Sequence, residues 1–144
     1  MHLRDLVLNG YLDRESLTTG DVQKYKEAIG ECLADANNDT NANRTRLLLA
    51  YDAILKCALL ALRVDGYRLK ATQGHHQIAL ETLAETVGST DADIDYFSEL
   101  SRIRHADVYD SQVVSDSDVK EAIEAANQLE KKTAGWVDFR LKNY

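Results

Sequence analysis

The segment Glu99-Leu-Ser-Arg-Ile-Arg-His-Ala-Asp-Val-Tyr-Asp110 gathers Arg102, Arg104, His105 and Tyr109 within eight positions. Arginine is permanently charged and presents a rigid donor fork that matches a phosphate. Histidine is the side chain whose ordinary pKa lets it exchange protons near neutral pH. Together they suit a phosphate-handling site, one acting on RNA included. On an ideal helix turning about 100° per residue, Arg102, His105 and Tyr109 share one face. Phe97, Leu100, Arg104 and Val108 gather on another, whose content points it inward. Arg104 is then a permanent charge on an apolar face, which needs a carboxylate, an escape route for its head, or an interface. The plain structural alternative pairs Arg104 with Asp107, Asp110 or an acidic residue of a neighbouring helix. Arg102 and His105 would then be a solvated face beside a negative helix end.

Other residue groups carry less. His75 and His76 follow Gly74 at an expected helix start. Neighbours on a helix diverge by about 100°, so the pair is poorly placed to share one metal, although one of them could line the same cleft as Arg102. Asp91-Ala-Asp-Ile-Asp95 lacks the glycine and the closing glutamate of a calcium loop and reads as helix N-terminal charge. Lys131, Lys132, Arg140 and Lys142, with Trp136, Phe139 and Tyr144, form either a solvated face or a partner or RNA surface. No phosphate-cradling glycine loop and no nucleophile elbow is present. No metal and no cofactor is expected.

The scaffold follows from composition. A chain of 144 residues with 44% hydrophobic and 28% charged residues is long enough for one domain, residues 1–144, with a sizeable core. There is no proline, which an all-helical protein accommodates most easily. A net charge of −7 argues against non-specific coating of nucleic acid, while leaving room for a small basic site. Cys32 and Cys57 read as buried free thiols. The N-terminus lacks a signal layout, and the most apolar run, Leu47 to Leu62, contains Asp52 and Lys56 and falls short of the ~20 residues of a membrane span. These features lead us to expect a cytoplasmic chain.

Apolar spacing predicts helices over Leu3 to Asn9, from Thr19 or Gly20 to about Asn37, from Thr40–Asn43 to Asp65, from Gly74 or His75 toward Gly88, from Asp91 toward Tyr109, and from Ser115 or Ser117 to the end. The third is apolar almost all round and should be central. No strand is predicted. The expected fold class is all-α, an antiparallel bundle of four main helices with short additional helices.

The string Arg102-Ile-Arg-His-Ala-Asp-Val-Tyr-Asp110, with the apolar Leu47 to Leu62 helix and the acidic-serine linker Ser111 to Asp118, resembles HEPN (higher eukaryotes and prokaryotes nucleotide-binding) domains over roughly residues 44 to 138. The resemblance implies an all-helical fold and a homodimer whose two motifs share one cleft. It further implies RNA or nucleotide as ligand, and a cognate antitoxin or nucleotidyltransferase-like protein as partner. In catalytic members the motif arginine binds the scissile phosphate and the motif histidine aids proton transfer, without metal. Arg104 matches the arginine and His105 the adjacent polar position. The histidine position falls on Tyr109, whose ordinary pKa of about 10 makes it a poor base at neutral pH. The expected function is therefore a non-catalytic, dimerising helical module in a nucleic-acid-related or defence-type system, binding RNA phosphate through Arg102, Arg104 and His105. The alternative is a metal-independent endoribonuclease of toxin type acting on single-stranded RNA through Arg104, His105 and Tyr109. A third reading is a plain interaction bundle with an acidic partner.

Overall fold

The computed structural model describes residues 2–105 and 113–142. Among these the chain forms α1 (Leu3–Leu8), β1 (Leu12–Arg14), α2 (Thr19–Ala36), α3 (Asn43–Val64), β2 (Tyr67–Leu69), α4 (His75–Thr82), α5 (Asp91–His105) and α6 (Asp116–Lys142). The mostly helical architecture agrees with the apolar periodicity. The central place of α3 does as well: it packs against α2, α4, α5, α6 and β2. Tyr51, Ile54, Cys57, Ala58 and Ala61 are fully enclosed along it. Cys57 is buried and Cys32 only half-buried, and both are free thiols. Burial pushes the Cys57 thiol up to about 12.

Two features depart from the predicted elements. First, the chain contains a two-stranded antiparallel sheet, with Leu12 opposite Leu69 and Arg14 opposite Tyr67. Each strand is too short to show an alternation. Each follows a glycine in the left-handed region, Gly10 at φ +84 and Gly66 at φ +88, which turns the chain out of the preceding helix. Second, α4 ends at Thr82 rather than near Gly88. There the Thr82 hydroxyl donates to the Ala79 carbonyl at 2.6 Å and the Thr86 hydroxyl to the Thr82 carbonyl at 3.1 Å. The amides of Leu83, Ala84 and Glu85 turn to carbonyls three residues back, so the segment tightens out of the α-helix.

Helices α5 and α6 start at reciprocal caps. At α5 the Asp93 amide donates to the Thr90 hydroxyl at 3.1 Å, and the Thr90 amide to the Asp93 carboxylate at 3.2 Å. At α6 Ser115 and Asp118 repeat the exchange at 3.1 and 3.0 Å. A serine or threonine with an acid three residues on satisfies two otherwise orphaned donors. Ser115→Ala is expected to cost about 1 kcal/mol, read as a lower urea midpoint with an unchanged slope.

Arg63, near the end of α3, is a second organiser. Only 7% exposed, its guanidinium donates to the carbonyls of Glu15 at 3.0 Å and Ser16 at 3.1 Å, and to the Asp21 carboxylate at 3.3 Å. It thereby ties the loop after β1 and the first turn of α2 to the end of α3. The Thr18 hydroxyl, and then Arg63, hold the Asp21 carboxyl below its usual range against the opposing effect of burial.

Candidate functional site

Arg102, Arg104 and His105 all lie in the last described turn of α5, where positive charge suits the negative helix end. All three are exposed. Tyr109, together with Val108, Asp107 and Asp110, lies outside the described residues. The helix end is held from α3: the Arg44 guanidinium donates to the Ile103 carbonyl at 3.2 Å.

Arg104 does not enter the core, contrary to the face expected from helix phase. Its guanidinium reaches across to α3 and donates to the Asp52 carboxylate at 2.6 Å. The pairing with an acid of a neighbouring helix is thus the structural alternative realised, with Asp52 rather than Asp107 or Asp110 as the described partner. The arginine side chain stays 40% exposed and the carboxylate 24%. A pair this open to water contributes little to stability and can be exchanged for another anion at small cost.

The residue before Asp52 on α3, Tyr51, is fully buried. Its hydroxyl is enclosed beside Ser101 without a hydrogen bond of ordinary geometry. Burial raises its pKa, and the nearby Asp52 adds to this while Ser101 and Arg104 oppose it.

The histidines supply what the linear motif did not make obvious. The start of α4 packs beside the end of α5, and the His76 ring lies 5.9 Å from the His105 ring and 4.3 Å from His75, centroid to centroid. The pair stands at the start of α4, as expected of helix-start histidines, and His76 in addition packs against His105 of the α5 motif. His105 Nδ1 sits 2.7 Å from the Ser101 carbonyl, and His75 Nδ1 2.8 Å from that of Thr72. A carbonyl only accepts, so each of these nitrogens carries its proton and leaves Nε2 outward. His76 differs: its Nδ1 is enclosed and has no partner. Burial holds its pKa below the usual histidine value, and the neighbouring His75, His105 and Arg104 act in the same direction, against Asp52.

The resulting surface carries Arg104, His105, His76 and His75 from two helices, with the Asp52 carboxylate paired to Arg104. Arg102 stands exposed one helical turn before His105. Among the described residues no cluster of three or more His, Cys, Asp or Glu could hold a metal ion. The basic end of α6 is a poorer candidate. Lys132 donates to the Gly88 carbonyl at 3.2 Å, and Arg140 is bonded to the Asp65 carboxylate and lies over the Trp136 ring. Tyr144 lies outside the described residues. No described helix is long and apolar enough to cross a membrane.

No family model matches the chain, and no curated protein matches it.

Proposed function

We propose that this chain is a HEPN-like helical module, an antiparallel bundle of four main helices that dimerises and binds the phosphates of single-stranded RNA without cutting them. The observation that carries the reading is the arginine–histidine surface at the α4–α5 junction, where the exposed Arg104 is held by an exchangeable carboxylate and the neighbouring His105 packs against the half-buried His76. Phosphate is the anion that an arginine fork recognises. The overall charge of −7 confines such binding to this local surface. The resemblance further implies a cognate antitoxin or nucleotidyltransferase-like protein as partner.

A second reading, the metal-independent endoribonuclease, is favoured by one feature. The Nδ1–H of His105 is fixed on the Ser101 carbonyl, which leaves Nε2 with the lone pair that a general base needs. Incubating the protein with labelled single-stranded RNA in EDTA, beside Arg104→Ala and His105→Ala, separates the two. Retarded but intact RNA is the expected result. Cleavage that disappears in both variants would establish the nuclease instead, and RNA neither bound nor cut would leave a plain interaction bundle.

A further inference from the structure

Resting on the reading of this surface as an RNA-phosphate site, we propose that His76 is a further phosphate-binding residue, a neutral imidazole that donates its Nε2–H beside Arg104, whereas the neutral rings of His105 and His75 offer that anion no donor.

The three rings at the α4–α5 junction differ in what their Nδ1 atoms meet. Those of His105 and His75 lie 2.7 and 2.8 Å from the carbonyls of Ser101 and Thr72. A carbonyl only accepts, so each neutral ring keeps its proton on Nδ1 and presents Nε2 as a lone pair. A phosphate-diester oxygen is also an acceptor and is repelled by that lone pair. His76 is the reverse. Its Nδ1 is enclosed and unpartnered. A buried N–H left unused is rarer in folded proteins than an unused acceptor, and it forfeits a hydrogen bond to water. The proton of the neutral ring therefore sits on Nε2. With Nδ1 enclosed, the open part of this half-buried ring is its far edge, where Nε2 lies. A second proton would only load Nδ1 with a donor that has nothing to bond, so the ring works as a neutral donor.

Position completes the argument. His76 comes from α4, outside the α5 motif, and packs 5.9 Å from His105, the residue after Arg104. It lies close enough to the Arg104–Asp52 pair to feel both charges. An anion that displaces the Asp52 carboxylate from Arg104 thus meets the charged fork of the arginine and, from the other helix, one neutral N–H. The two donors come from separate elements and fix the phosphate between them.

The test has two readouts at about pH 8, where histidine is neutral. Long-range proton–nitrogen NMR of the wild-type imidazoles reads the tautomers, with His76→Gln assigning the signals that disappear. The expected result is Nε2–H for His76 and Nδ1–H for His75 and His105. Fluorescence anisotropy of labelled single-stranded RNA then compares wild type with His76→Gln and His76→Met, with urea midpoints verifying the fold. Glutamine sets an amide N–H near the place of Nε2, and methionine fills similar space without a donor. His76→Gln should bind within about twofold of wild type and His76→Met about fivefold more weakly, the scale of one neutral hydrogen bond. An Nδ1–H tautomer at His76, wild-type affinity in His76→Met, or an equal loss in both variants would overturn this assignment alone. Wild type that binds no RNA would overturn it together with the functional reading beneath it.

Discussion

Arg63→Ala is expected to destabilise the protein by about 3 kcal/mol, the scale on which a buried, multiply bonded charge fails when one partner is removed. The substitution strands the Glu15 and Ser16 carbonyls, which meet the guanidinium at 3.0 and 3.1 Å, and unpins the first turn of α2 from α3. Arg63→Met separates packing from bonding. It keeps most of the stem, so recovery of less than half the loss would assign the effect to the lost hydrogen bonds. Urea unfolding reads the result as a shift of the midpoint at constant slope. A loss under about 1 kcal/mol would show that water replaces the guanidinium freely, as it does for exposed ion pairs.

The second large effect is a pair of opposite changes at the proposed site. Asp52 holds Arg104 at 2.6 Å and so competes with any incoming phosphate. Arg104→Ala should weaken RNA binding about tenfold, the size of one charge-assisted contact, whereas Asp52→Asn should tighten it several-fold by freeing the guanidinium. Neither should alter stability by more than about 1 kcal/mol, because the pair is half in water. A structural role for Arg104 makes the opposite forecast: both substitutions would lower the unfolding midpoint, and RNA affinity would follow folding in both.

How far the sequence could be read depended on whether a feature was local or long-range. The start of α5 was legible from the acids of its first turn and that of α6 from Ser115, one of two serines offered there, while the reciprocal bonds of Thr90 with Asp93 and of Ser115 with Asp118 were seen only in the structure. The central position of α3 was legible from apolar residues on all its faces. Strands of three residues carry no period, so β1 and β2 went unforeseen, and only Gly10 and Gly66 hinted at turns there. The early end of α4 depends on hydroxyl-to-carbonyl bonds of Thr82 and Thr86 that compete with the helix.

At the site, Arg104 stood out as a charge out of place on an apolar face, but helix phase alone pointed it inward. Its partner was the equally misplaced Asp52 on apolar α3, and two stray opposite charges on two core helices were the available signal. Placing His76 against His105 required the packing of α4 on α5, which no spacing along the chain encodes.

The central claim is that the end of α5 holds RNA phosphate, and the most direct measurement is the salt dependence of single-stranded RNA binding by wild type, Arg102→Ala and Arg104→Ala. The account predicts that affinity falls with salt on a log–log line, and that each variant both weakens binding and lowers the slope by about 0.7, the share of one released counterion on single-stranded nucleic acid. Wild-type slope and affinity in both variants, or RNA that never binds, would contradict it.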